Sequence, residues 1–171
     1  TTFAVDSGPR CLRGDPFRAA TRAGSSDDLL VFLQGGGACW SQFCLAVTKA
    51  PEGIPDVDAL NPDLEVNPFR DMDVAYAPYC DGSLFSGDTE IDDDDDGVID
   101  RWHRGLANLS ATLNVAKDAF PHPPRVVLAG SSGGAYGTIL GAVLVRAVYP
   151  DAEVVVLADS GTGVARGSTD P

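Results

Sequence analysis

Histidine is nearly absent from this chain: its 171 residues hold two, His103 and His122. The four cysteines, Cys11, Cys39, Cys44 and Cys80, form no C-x-x-C pair. Together these shortages exclude a tetrahedral zinc site of the usual spacing. Basic residues are scarce too. Twelve Lys and Arg face 25 Asp and Glu, a net charge of −13. That sign excludes nucleic acid as the main partner, because phosphate binding requires cations. It also disfavours an anionic membrane surface. No apolar run approaches the roughly 20 residues that a membrane span needs. The first residues have neither a basic region nor a long apolar core, so the chain starts as a processed, secreted protein would. There is no internal repeat. The only low-complexity stretch is an aspartate run.

What is present suits a globular protein. Apolar residues make up 44% and charged residues 22%. The length predicts one domain over residues 1–171 with a substantial core. The even number of cysteines allows two disulfides in any of three pairings, or buried free thiols.

Short apolar runs predict buried strands at Leu29–Leu33, Asp73–Tyr79, Val126–Ala129 and Glu153–Ala158. Apolar residues at Trp102, Leu106, Leu109, Leu113, Ala116 and Phe120 share one helical face, which predicts a helix over Ile99–Phe120. His122-Pro-Pro124 ends it. A second, Ala-rich helix is expected over Gly134–Tyr149. The residues before 28 read as loop or edge strand, and those from 48 to 72 as a long surface excursion. The later order is strand, helix, strand, helix, strand. This implies an α/β fold with a mostly parallel sheet and helices on both faces.

Gly130-Ser131-Ser132-Gly133-Gly134 fits G-x-S-x-G with Ser132 at its centre. A nucleophile perched on a tight strand-to-helix turn needs small neighbours, because the backbone there folds back on itself. The start of the following helix favours developing negative charge. The alternative is a phosphate-binding or structural turn, but no P-loop lysine follows and G-x-G-x-x-G is absent. Gly35-Gly36-Gly37 ends the first apolar run. Acyl transfer needs backbone N–H donors where a carbonyl oxygen becomes negative. Gly133, with Gly36 and Gly37, has the residue types and order for that role. An ordinary flexible turn is the competing reading of the triplet.

Several strings then occur in a telling order: Phe32-Leu-Gln-Gly-Gly-Gly-Ala-Cys-Trp40, Tyr79-Cys-Asp-Gly-Ser-Leu-Phe-Ser-Gly-Asp88, Trp102-His-Arg-Gly105, Ala129-Gly-Ser-Ser-Gly-Gly134 and Leu157-Ala-Asp-Ser-Gly161. In that order they resemble the pectin acetylesterase/Notum family over roughly residues 11–163. The Gly-Gly-Gly-Ala-Cys-Trp form is similar to that of bacterial members. The resemblance implies an α/β-hydrolase-like fold and hydrolysis of acyl esters, often acetyl-type and carbohydrate-linked, by a serine carboxylesterase. It places Ser132 on the family nucleophile and Gly36, Gly37 and Gly133 on the oxyanion positions. It also implies the pairs Cys39–Cys44 and Cys11–Cys80.

Two departures stand out. The family carries its acid and histidine after the serine, yet none of the 39 residues after Ser132 is histidine. Asp159 is available as an acid but falls in the Asp-Ser-Gly motif. His103 and His122 precede the serine and are poor candidates for the base. The expectation is an incomplete catalytic unit. A second polypeptide or a further C-terminal segment would supply acid and histidine, for instance after cleavage near Asp170-Pro171. The second departure is Asp92–Asp100, which fits D-x-D-x-D-G-x-x-D. Carboxylates at alternate positions around a glycine turn suit calcium. The expected ligands of this structural ion are Asp92, Asp94, Asp96, the Val98 carbonyl and Asp100; catalysis itself requires no cofactor. A solvated acidic loop is the alternative. Asn108-Leu-Ser110 is a glycosylation sequon inside the predicted helix and reads as chance.

The function expected is secreted ester hydrolysis through an acyl-enzyme on Ser132. Two alternatives are a polyester or lipid ester hydrolase and a non-catalytic carbohydrate- or calcium-binding relative.

Overall fold

The computed structural model describes residues 1–4, 6, 8–40 and 43–161. The cleavage expected near Asp170-Pro171 lies outside them. The chain runs β1 (Ala20–Arg22), β2 (Leu29–Leu33), β3 (Gly37–Trp40), β4 (Phe43–Ala46), β5 (Asp73–Ala77), β6 (Thr89–Ile91), β7 (Arg101–His103), α1 (Gly105–Ala119), β8 (Arg125–Ser131), α2 (Gly133–Val148) and β9 (Glu153–Asp159). A five-stranded sheet has the order β1-β5-β2-β8-β9. Its last four strands are parallel, and only edge strand β1 is antiparallel. This is the mostly parallel α/β architecture that the alternation of strands and helices predicts, and it agrees with the α/β-hydrolase-like fold that the resemblance implies.

The period of two along each strand divides the core into two layers. Leu29, Val31, Leu33, Ala75, Ala77, Val126 and Leu128 face one side, against Leu109, Leu113 and Ala116 of α1 and Val145 of α2. Leu30, Val74, Tyr76, Val127 and Ala129 face the other, against Leu60, Met72, Ile54 and Phe69. Helical cover is therefore uneven. Both α-helices lie on the first face, whereas the second receives the excursion before β5, whose only described helix is a 3-10 turn at Asp58–Leu60.

One predicted element is corrected. The helix expected from Ile99 begins at Gly105, because Arg101–His103 is a strand paired antiparallel to Thr89–Ile91. Trp102 lies under the Arg10 guanidinium, 5.0 Å from it, and its N–H donates to Leu12 O. These distant partners override the helical spacing. A hairpin, β3–β4, follows Gly36, an element the sequence pattern does not predict.

The disulfides are Cys11–Cys80 and Cys39–Cys44. Asn108 of the sequon is buried, and its amide clamps the backbone of Arg10 from both sides. That engagement leaves no room for a glycan in the folded chain.

Candidate active site

Ser132 sits where β8 ends and α2 begins, at φ 51°, ψ −118°. Non-glycine residues rarely adopt this conformation, at a cost of about 1–3 kcal/mol, and it persists only where the surroundings enforce it. Here they do. The Ser132 N–H donates to Asp159 O at 2.9 Å, and Ser132 O accepts the Ala135 N–H at 3.0 Å. The turn folds so tightly that a Cβ on Gly130 would lie 2.5 Å from Gly134 O. A Cβ on Gly134 would run into the carbonyl of Leu33 on the neighbouring strand. Serine at a helix N-cap normally accepts a backbone N–H through its side chain. Ser132 makes no such bond and is exposed. Its hydroxyl is thus held at the strand end and left free.

The glycine triplet packs directly against this turn. A Cβ on Gly35 would lie 2.5 Å from Ser131 O, and one on Gly133 would lie 2.8 Å from Gly37 O. Gly133 opens α2, where the first N–H groups have no intrahelical acceptor. Among the described residues no hydrogen bond takes the N–H of Gly36 or Gly133. The serine, Gly36, Gly37 and Gly133 are therefore neighbours, although about 95 residues separate them in sequence.

Neither histidine joins them. His103 on β7 is buried, with Nδ1 2.7 Å from the carbonyl of Asp81; burial holds its pKa below the ordinary value. His122 is exposed before the N-terminal end of β8, while Ser132 follows its C-terminal end. Seven strand residues separate them, roughly 20 Å. The Asp159 carboxylate accepts only the Ser160 hydroxyl among the described residues.

A buried carboxylate that sequence reasoning missed lies behind the turn. Asp81 is 1% exposed, and burial pushes its pKa up to about 6 against the hydrogen bond from the Ser83 hydroxyl. Because the folded pKa exceeds the unfolded 3.8, the native state holds the proton more tightly. The resulting stability is fully present below about pH 4 and is lost as pH rises to about 6. Two pK units correspond to about 3 kcal/mol. Urea denaturation at pH 4 and pH 6.5 is expected to show this fall for the native chain and a flatter profile for Asp81→Asn. Identical slopes would refute it.

In the acidic loop, carboxylate oxygens of Asp92, Asp94 and Asp100 lie within 4.8 Å of one another. Asp96 is not in that group. Its carboxylate accepts the Val98 N–H at 2.8 Å, so Asp96 and Val98 belong to the same turn. The Gly97 N–H bond to Asp92 holds that carboxyl below its ordinary pKa. Arg101 pairs with Asp93, anchoring the loop to β7.

The exposed flank of the sheet beyond the serine is apolar. Among the described residues β9 pairs only with β8. Val155, Val156 and Leu157 are 41–47% exposed, and on α2 Ile139, Leu140 and Val143 are exposed, Val143 by 75%. Among the described residues no helix is long and apolar enough to cross a membrane.

The family model described as pectinacetylesterase matches residues 3–166 of the chain. No curated protein matches it.

Proposed function

The chain belongs to the pectinacetylesterase family, and from that premise we propose that it hydrolyses acetyl-type esters, carbohydrate-linked ones included, through an acyl-enzyme on Ser132. The family is one of carboxylic ester hydrolases, so an ester is the substrate class. The observation that carries the finer reading is the strained, exposed and uncapped Ser132 beside two N–H groups without protein partners.

In this mechanism a base takes the Oγ proton as Oγ attacks the ester carbonyl carbon. The carbonyl oxygen becomes negative and is held by the N–H groups of Gly133 and the Gly36–Gly37 segment. Collapse breaks the bond to the alcohol, which leaves with the proton returned by the base. Water, deprotonated by the same base, then attacks the acyl carbon and releases the acid and Ser132.

The burial of His103, with Nδ1 at the Asp81 carbonyl, and the position of His122 before the other end of β8 speak against either as the base. We propose that a histidine and an acid reach Ser132 from a second polypeptide or a further segment that pairs with the edge of β9 left unpaired among the described residues and covers α2. The apolar exposure of that flank supports this. Two disulfides are compatible with an extracellular protein, and secretion is part of the proposal. The placing of both histidines also favours a second reading, a non-catalytic relative that keeps the fold.

A serine-directed phosphonate separates the two. In the assembled protein it is expected to label Ser132, seen as a mass increase on its peptide. The chain alone, of 17.8 kDa, should remain unlabelled and bind a hydrophobic dye. An assembled protein that resists the reagent while still hydrolysing esters would sink the nucleophile reading.

We also propose a structural calcium ion at Asp92, Asp94 and Asp100, with water or the nearby Asp96 and Val98 completing its shell. At one hundred times Kd the ion is expected to add about 2.7 kcal/mol, roughly 5–10 °C in Tm. Asp92→Asn with Asp100→Asn should abolish the shift. A calcium titration that leaves Tm unchanged would rule the ion out.

A further inference from the structure

The segment 79–87 is not used by the proposed chemistry, yet it lies against both glycine clusters of the candidate site. Tyr79 is fully buried. Its N–H donates to Gln34 Oε1 at 3.1 Å, and the Gln34 N–H donates to Ala77 O at 3.0 Å, which locks Tyr79 to the strand end that carries the glycine triplet. One edge of its ring runs past both glycine clusters. A Cβ on Gly36 would lie 2.7 Å from Cδ1, and a Cβ on Gly133 would lie 3.6 Å from Cε1. These two ring atoms are bonded to each other. A single rigid edge therefore stands against the backbone of both proposed oxyanion donors.

The ring is itself held. Phe85 packs on it at 5.2 Å between centroids. The Tyr79 hydroxyl accepts the Leu84 N–H at 3.0 Å. Leu84 and Phe85 both have positive φ, 56° and 61°. Two consecutive non-glycine residues in this region are strained and need external support. The Tyr79 hydroxyl supplies it at one end. At the other, the Ser83 hydroxyl is bonded to Asp81 and accepts the Gly87 and Gly105 N–H groups. Leu84 Cδ2 returns to within 3.6 Å of a Cβ placed on Gly133, and Phe85 lies against Gly137. Simple core filling requires neither two left-handed residues nor a flat edge against two glycines.

We infer that Tyr79 is a positioning residue whose ring edge sets the separation of the Gly36 and Gly133 backbones, and so the width of the oxyanion cradle. The inference rests on the reading of those glycines as oxyanion donors. An oxyanion hole acts on the transition state and needs donors 2.7–3.1 Å from the developing charge. Its loss therefore lowers kcat with little change in KM. A flexible aliphatic side chain fills the same space without fixing the gap.

The test is steady-state hydrolysis of p-nitrophenyl acetate by the active assembly, with melting curves taken alongside. Tyr79→Leu is expected to lower kcat about a hundredfold with KM within threefold. Tyr79→Phe, which keeps the edge, is expected to stay within threefold of the native kcat. Gly36→Ala puts a methyl against Cδ1 and should lower kcat at least tenfold at constant KM. It serves if Tyr79→Leu does not fold. Turnover that survives Ser132→Ala would defeat the nucleophile reading and this inference with it. If Ser132→Ala is inactive, a native kcat in Tyr79→Leu or Gly36→Ala, or a Tyr79→Phe loss as deep as that of Tyr79→Leu, would overturn the inference alone.

Discussion

Ser132→Ala is expected to lower kcat for ester hydrolysis by about a thousandfold or more in the active assembly, with KM little changed. Removing the nucleophile of a serine hydrolase leaves only what the oxyanion donors and binding supply. The same position separates catalysis from stability. Alanine keeps the unfavourable φ of 51°, so Tm should hardly move. Glycine adopts that φ freely but loses more entropy on folding. Relief of about 1–3 kcal/mol of strain against that loss leaves Ser132→Gly about 1 kcal/mol more stable, and inactive. Assays and melting curves on the two variants decide this. An active alanine variant, or a glycine variant that melts below the native protein, would show that the turn is not a strained nucleophile site.

Loss of the Cys11–Cys80 disulfide is expected to cost about 4 kcal/mol, because it closes a long loop in the unfolded chain. The two cysteines are 69 positions apart, and both are fully buried beside Phe17 and Ala19. The bond ties the N-terminal segment to the end of β5, where Leu12 N–H also donates to Cys80 O at 2.7 Å. Against a total of 5–15 kcal/mol for an ordinary domain, that is a large share. Cys39–Cys44 spans only 5 positions within the β3–β4 hairpin, and its removal should cost about 2 kcal/mol on the same loop-entropy grounds. Chemical denaturation of the paired Cys→Ala variants measures both. Equal losses would show that the entropy of the unfolded loop does not govern these bonds.

Both predictions concern features whose legibility in the sequence differs. The strands Leu29–Leu33 and Glu153–Asp159 and the helix Gly133–Val148 follow from local pattern, since an apolar run or a helical period needs no knowledge of distant partners. Arg101–His103 is the opposite case. Trp102 has the right spacing for the α1 face, but Arg10, Leu12 and the strand Thr89–Ile91 claim it. Tyr79 and Asp81 carry no pattern that marks them. A tyrosine at a strand end and an aspartate in a loop become notable only once burial places one against two glycines and raises the pKa of the other.

The sequence by itself determined the order of the four parallel strands and two helices of the core, and the serine turn. Gly-x-Ser-x-Gly between an apolar strand and an apolar helix is a steric requirement written in adjacent residues. Only the tertiary structure decided which cysteines meet, that Gly36 and Gly133 share one ring edge, and that His103 is spent on the Asp81 carbonyl. It also showed that, among the described residues, the flank of β9 and α2 exposes apolar side chains. These are facts of proximity between residues far apart in the chain, and a one-dimensional pattern does not encode distance.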